Sequence, residues 1–451
     1  MIRLGQLVRD PPVEPATAEA VRQAAQALAD TGLALDRPAS AWFVPGRIEV
    51  LGKHVDYAGG RSLLAATARG FTLVSTPLAR PVLRLFDVGR GRRITVELGP
   101  GAELRGASWS SYPATVVRRL ARDLPPLVHG LDVAFVNDLP TAAGLSTSSA
   151  LVVATFLVLA ERHRSWNHSD YRRELASLTT LAGYLGAVEN GYPFAGFAGD
   201  HGVGTFGGSE DHTAILRAQP GRLIQVRFCP VVAERTVAMP AGRVFAVASS
   251  GVAAHKAGAA REDYNRASSL AAEAAAVWRR VTGGDEPHLA AIAERTGARE
   301  FSELPARYRE ALSVVEATRV EHFLIENEQI VPAAGDALAR GDREAFGALV
   351  SRSQQCGARL LANQIPETEG LVELARELGA DAASAFGAGF GGSVWALVPE
   401  AAIADFLAAW RARYLEQFPG RAEWARFFAT PAAAPARRLA PAGKPHERRS
   451  P

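Results

Sequence analysis

Apolar residues recur at helical spacing over 17–33 (TAEAVRQAAQALADTGL) and stop at a glycine, which predicts an amphipathic helix. The pattern then changes. Residues 42–51 and 63–75 alternate or run apolar with β-branched side chains, as strands do, and 81–87 and 92–98 read as a further strand pair. A helix is predicted over 111–123. LDVAFV at 131–136 reads as a strand that leads through a small-residue loop into a helix over 147–163. The apolar run ALVVATFLVLA (150–160) is shorter than the roughly 20 residues that span a bilayer, so it reads as a buried helix. Residues 170–190 read as helical. Residues 191–210 hold many glycines without a period and predict a long loop, which in a compact domain is usually functional or mobile. Strands are expected near 213–217, 223–228 and 243–248. Helices dominate 258–282, 286–296, 304–326, 331–341 and 343–362. The end returns to βαβ-like material, with a helix at 367–378, a loop at 386–392, a strand at 393–398 and a helix at 400–415. No internal repeat is visible.

The chain has 451 residues, 48% hydrophobic and 22% charged, an ordinary soluble composition with ample material for a core. The pattern divides near residue 225. The expected organisation is an N-terminal extension with its helix (1–38), a first domain (39–225), a second (226–435) and a tail (436–451). Two cysteines, Cys229 and Cys356, argue against a disulfide framework and have no metal-ligand spacing. The first fifteen residues lack the apolar core of a signal peptide. These features together predict a cytoplasmic protein without a membrane partner. The net charge of +3 is misleading. The tail carries Arg437, Arg438, Lys444, Arg448 and Arg449 against Glu447, a net +4, so the remainder carries −1. A Pro/Ala/Arg tail of this kind cannot pack a core and is expected to be a solvated, disordered end rather than a nucleic-acid arm.

Three glycine- and serine-rich segments carry the candidate chemistry. In LPTAAGLSTSSAL (139–151) a strand ends, small residues follow and an apolar helix begins. Unpaired amides at such a helix start attract phosphate, and Ser146, Thr147, Ser148 and Ser149 offer hydroxyls to phosphate or Mg²⁺. An N-capped helix behind a flexible turn has the same pattern. GAGFGGS (387–393) permits positive φ and close backbone approach, or simply a tight turn. PGRIEVLGKHVDYAGG (45–60) crowds Arg47, Lys53, His54, Asp56 and Tyr57 among glycines. There His54 and Asp56 could hold sugar hydroxyls and Arg47 a phosphoryl charge. A fourth segment, GGSEDHTA (207–214), offers Asp211 to orient or deprotonate a hydroxyl. Asp200, His201 and His212 match no metal-site spacing.

Taken together, these segments resemble the galactokinase branch of the GHMP small-molecule kinases. PGRIEVLGKHVDYAGG resembles that branch's signature, in which PGR precedes GEHTDYNGG. LPTAAGLSTSSAL resembles the family's phosphate loop P-x-G-x-G-L-S-S-S, and GAGFGGS its last glycine loop. WSSY (109–112), EN (189–190), YNRA (264–267) and HFLIEN (322–327) are smaller echoes, and the resemblance spans roughly 41–431. It implies an α+β fold of two mixed α/β domains, the GHMP kinase N-terminal and C-terminal domains, with the site between them. It also implies ATP, Mg²⁺ and phosphorylation of the anomeric hydroxyl of galactose or a related sugar, by a monomer or weak homodimer.

By position, the resemblance makes Asp211 and Arg47 the catalytic pair and Ser148 and Glu189 the Mg²⁺ ligands. It makes Lys53, His54, Asp56 and Tyr264 the sugar contacts. Trp109, Pro140, Ala143, Gly144, Leu145 and Ser146–Ser149 become the ATP contacts. Ala142 and Ser393 depart mildly from the family pattern. Between Asn190 and Asp211 the chain is several residues longer than usual. Lys53 departs most, since it replaces a Glu that receives a sugar hydroxyl near C6 and is donor-only where that Glu is acceptor-only. A neutral galactose-like substrate is the expectation. The alternatives are a C6-modified or acidic sugar such as galacturonate, or a catalytically silent sugar and nucleotide sensor on the same fold.

Overall fold

Two long neighbouring strands form the spine of the molecule, and the site is built where they leave the sheet. The computed structural model describes residues 2–103, 109–140, 143–252 and 259–439. Its strands in chain order are β1 (Ile2–Arg3), β2 (Pro38–Leu51), β3 (Arg61–Leu78), β4 (Val82–Asp87), β5 (Arg92–Glu97), β6 (Gly130–Asn137), β7 (Arg222–Arg227), β8 (Val232–Ala238), β9 (Arg243–Ser249), β10 (Ala382–Phe386), β11 (Ser393–Pro399), β12 (Arg426–Thr430) and β13 (Arg437–Arg438).

The first sheet runs β1-β2-β3-β6-β4-β5, with β13 joined to β2 and the β7–β8 hairpin joined to β3. β3 is long enough to have two partners on one edge. Its first residues pair with β7 and its last eight with β6. Only the β4–β6 pairing is parallel. The second sheet, β10-β11-β9-β12, is antiparallel throughout. The start of β2 alternates between buried and half-buried residues, whereas Phe43–Leu51 is buried without a break. Such a strand is covered on both faces, which explains its near-continuous apolar run.

Four of the apolar clusters among the described residues follow from this layout. The main one joins both sheets: Val44, Ile48 and Val50 of β2 cluster with Phe245 and Val247 of β9 and Trp395 of β11. The helix Pro15–Ala29 lays Val21, Ala24 and Leu28 against Phe43, Val74 and Ala134 of the first sheet. The helices Pro366–Glu377 and Ile403–Gln417 cover the second sheet. The helices of 259–324 form a third body around Trp278, Tyr308 and Phe323, and it packs against Val55 and Ala58.

The helices predicted at 111–123 and 147–163 form with those bounds, as Ser111–Asp123 and Thr147–His163. Residues 213–217 do not form the expected strand; they lie in a helix, Glu210–Arg217. A short run such as HTAILR (212–217) cannot be assigned by periodicity, and here Ile215 and Leu216 enter the main core from a helix. The helix expected over 304–326 breaks at Leu312, because Ser313 and Glu316 cap a new helix at Val314. β8, β10 and β12 have no strand signal: β8 is largely polar and β10 is AASAF. The β7–β8 hairpin stays with the first sheet, so the change of sheet falls between β8 and β9 rather than near 225. Of the basic tail, Arg437 and Arg438 pair with β2 and Leu439 is buried. The rest of the tail, from 440 on, lies outside the described residues, as does Ala142.

Candidate functional site

β2 delivers the first polar groups. Arg47 and Glu49 pair in unbroken register with Ala66 and Leu64 of β3. Residues two apart in a strand share a face, so both side chains point the same way. The chain then turns through 52–60, and the turn is pinned from the other side of the molecule. Glu326, in a π-helical turn at Ile325–Ile330, accepts the Gly52 amide at 2.8 Å and the Lys53 amide at 3.4 Å. Asn327 accepts the Arg61 amide at 2.7 Å. HFLIEN and the first glycine segment are thus one structural unit, built from residues 270 positions apart in round terms of chain order.

Within the turn His54 has φ +57. Its Nε2 lies 3.0 Å from the Ala388 carbonyl, which can only accept, so Nε2 carries the proton. Nδ1 then accepts from the Tyr57 hydroxyl at 3.0 Å. Burial pushes the Tyr57 hydroxyl up to about 12, which keeps it a donor. Tyr264 packs with its ring centroid 5.5 Å from that of His54. Asp56 accepts the Glu210 amide at 3.3 Å. Gly208 makes this approach possible: a Cβ there would sit 2.3 Å from Asp56 Oδ2.

The second glycine segment leads from β6 into the helix Thr147–His163. Gly144 has φ +73 and lies against the Phe386 carbonyl of β10. Ser146 has φ +59, an uncommon conformation for a residue with a side chain, and no side chain caps the helix that follows. Its buried Oγ has no hydrogen-bond partner among the described residues. An uncapped helix start with an orphaned hydroxyl has the donors a phosphate needs.

The helix Glu210–Arg217 brings Asp211 to Arg47. Arg47 Nε and Nη2 both lie 2.7 Å from Asp211 Oδ1, and Ser149 Oγ donates to Oδ2 at 3.2 Å. Arg47 also donates to the Gly144 carbonyl, tying the two segments together. Glu210 Oε1 is 3.7 Å from Arg47, and Ser62 donates to Oε2 at 2.6 Å. Burial, with Glu49 and Asp56 alongside, pushes Glu210 well above the usual carboxylate range. Burial likewise pushes Glu49 up to about 7, against the opposing charges of Arg47 and Lys53. Glu189 Oε2 lies 2.9 Å from His212 Nε2, both side chains being buried.

These groups surround one cavity of about 260 Å³. It brings together Arg47, His54, Asp56, Trp109, Ala143, Gly144, Ser146–Ser149, Glu189, Asp211 and Tyr264 from the sequence reading, with Gly387 and Ala388 of the third glycine segment. Three expected contacts lie elsewhere. Leu145 is a core residue whose carbonyl accepts the Arg47 amide. Pro140 does not line the cavity. Lys53 does not line it either: its ammonium is buried and donates to Ser384 Oγ at 2.7 Å and Ser353 Oγ at 3.3 Å. A lysine stem is long enough to carry the charge past the cavity into the polar cluster beyond it, so the ammonium ends outside the cavity. Asp200 is bound to Arg118 at 2.6 Å and does not line the cavity.

The cavity also holds Glu49, Tyr112, Asn190 and Glu210, to which the sequence reading gave no role. Asn190 accepts the Gly207 amide at 2.9 Å and so folds the glycine-rich loop back onto the site. The motif echoes EN and WSSY were the available signals for Asn190 and Tyr112; nothing marked Glu49. Among the described residues no group of three or more His, Cys, Asp or Glu side chains could hold a metal. Any cation here would have to share a few protein oxygens with those of a ligand, a donor set that suits Mg²⁺. The Arg47–Asp211 pair beside a phosphate-type helix start is suited to transferring a phosphoryl group to a hydroxyl.

Comparison with known proteins agrees. Residues 34–77 match the family described as galactokinase galactose-binding signature, 111–196 match GHMP kinases N terminal domain and 336–416 match GHMP kinases C terminal. A galactokinase of Chloroflexus aggregans is 29% identical over 372 residues, covering 82% of this chain and 86% of that protein. A galactokinase of Actinobacillus pleuropneumoniae is 26% identical over 363 residues, covering 79% and 85%. The solved structure of Lactococcus lactis galactokinase complexed with galactose superposes with a TM-score of 0.73 at 22% identity, over 89% of this chain and 95% of that one. At that identity the superposition establishes the fold.

Proposed function

We propose that this chain, which is similar to galactokinases and matches the GHMP kinase domain families, transfers the γ-phosphoryl group of ATP to the anomeric hydroxyl of galactose. The observation that carries this reading is the bonded pair Arg47–Asp211, set in the cavity where the uncapped start of the helix Thr147–His163 meets the turn of 52–60. Asp211 orients the sugar hydroxyl and takes its proton. Arg47 holds the carboxylate in place and offsets the negative charge that gathers there in the transition state. Ser149 fixes the second carboxylate oxygen. His54, Asp56 and Tyr264 form the wall that binds and orients the sugar, while the amides at the helix start and the Ser146–Ser149 hydroxyls receive the phosphates. Trp109 lies at the nucleotide side. Ser148 and Glu189, both on the cavity, are oxygen donors suited to Mg²⁺. ATP supplies the phosphoryl group, and Mg²⁺ offsets the charge of its phosphates.

The test is a galactose-dependent release of ADP with formation of galactose 1-phosphate, followed by phosphorus NMR, in wild type and Asp211→Asn. We expect Asp211→Asn to lose at least about 100-fold in kcat, the usual worth of a general base, while nucleotide affinity stays within a few-fold. Sugar and nucleotide binding without turnover in the wild type would make the chain a sensor instead. Retention of more than about a tenth of the rate by the variant would remove Asp211 from the base role.

A further inference from the structure

We propose that Glu49 is a specificity-determining sugar contact, whose carboxylate accepts a hydrogen bond from one ring hydroxyl of the bound sugar. The inference rests on the sugar-kinase reading above and adds a residue to it. It also replaces Lys53 as the residue that reads the sugar at this part of the site.

The first ground is position. Glu49 shares a strand face with Arg47 and lines the same cavity. The second is an unmet bond. Glu49 is 3% exposed, and its Oε1 has no hydrogen-bond partner among the described residues. Buried acceptors are nearly always satisfied, so one left open beside a ligand cavity is best explained by a donor that arrives with the ligand. With its bond to Glu210 made through the other oxygen, Oε1 is left as an acceptor, and among the groups of a neutral sugar the donor is a hydroxyl.

The third ground is the set of charges around it. Burial is the main influence and raises Glu49 to about 7; Arg47 and Lys53 oppose that rise, while Glu326 adds to it. Glu210 is its carboxyl neighbour and hydrogen-bond partner, and it is itself raised by burial. Two buried carboxyls in contact share a proton, which leaves the pair with acceptor capacity to spare. Lys53 serves this arrangement from behind. With its ammonium committed to Ser353 and Ser384, it supplies counter-charge without entering the cavity. A uronic acid that presented its carboxylate to Glu49 would meet like charge, so this arrangement favours neutral sugars.

The test compares calorimetric affinities of wild type and Glu49→Leu for galactose and its 2-, 3-, 4- and 6-deoxy analogues. Loss of a hydrogen bond to a charged acceptor predicts at least about tenfold weaker galactose binding by the variant. For one deoxy sugar, the one lacking the hydroxyl that Glu49 accepts, wild type and variant should bind equally well. A loss of the same factor for all five sugars overturns the proposal, because a merely structural role, or an oxygen satisfied by water, would not single out one hydroxyl. If Glu49→Leu fails to fold, Glu49→Gln carries the same comparison with a loss of about threefold, since a neutral acceptor bonds roughly half as strongly. Wild-type protein that binds none of these sugars overturns the sugar-kinase reading and this inference with it. Wild-type binding with a uniform loss overturns this inference alone.

Discussion

A buried ammonium must be matched by its surroundings, and Lys53 is matched by the Glu49 carboxyl and two serine hydroxyls, of which Ser353 bonds Glu326 at 3.0 Å. It stands in the stretch that leads from β2 to the sugar-side turn, yet its head lies among residues of the second half of the chain. Lys53→Met keeps the stem and removes the charge. We expect it to cost about 1–3 kcal/mol of stability, because carboxylates that the ammonium balanced lose their partner. We expect the ratio of kcat/KM for galactose over galacturonate to stay within about twofold, since the ammonium does not reach the cavity. Thermal melts and the two-sugar assay check both halves. A tenfold change in the ratio would return Lys53 to direct sugar contact. Position 53 was conspicuous in the sequence as a reversed charge inside a recognisable motif, but residue identity does not fix where a four-carbon side chain ends. Glu49, two positions after Arg47, carried no signal at all. Its importance comes from the Oε1 atom that burial leaves without a partner.

At the scale of elements, the site depends on how the segment 207–210 meets the turn of 52–60. Gly208 lets the start of the helix Glu210–Arg217 touch Asp56, and a methyl group at that position would stand 2.3 Å from the carboxylate and 3.0 Å from the Tyr57 amide. We expect Gly208→Ala to weaken galactose binding by at least about tenfold, because Asp56 must move and the Asp56–Glu210 bond is lost. Calorimetric sugar affinity and a thermal melt check this; unchanged affinity would mean that Asp56 does not need its present position. The segment also shows why local pattern fails here. HTAIL has β-branched residues and no period, so it reads as a strand, but it becomes a helix because its start is held by Asp56 and its apolar side packs into the main core. By contrast the helix Thr147–His163 was legible to the residue, since its long apolar run and its polar small-residue start agree with each other. The long loop of 191–209 is held by distant polar side chains: Arg118 bonds Asp200, and Asn190 and Asn265 bond the amides of Gly207 and Phe206.

At the scale of the whole molecule, the two sheets share one apolar core, and Lys53, Glu326 and Asn327 stitch the 52–61 turn to the second half of the chain. We therefore expect a single cooperative unfolding transition, with the calorimetric and van't Hoff enthalpies in agreement. Two separated endotherms would show that the halves are independent. The sequence by itself determined the order of most elements, the three glycine-serine segments and, through their resemblance to a family, the chemistry of phosphoryl transfer to a sugar. Those are local properties: short-range periodicity, backbone freedom and side-chain type are all written in neighbouring residues. Only the tertiary structure decided that Glu326 and Asn327 fix the turn, that the Lys53 ammonium ends outside the cavity and that Glu49 faces the cavity with an unmet bond. Each of these depends on which distant group lies within about 3 Å, where hydrogen bonds and ion pairs are made, and that distance is set by packing rather than by spacing along the chain.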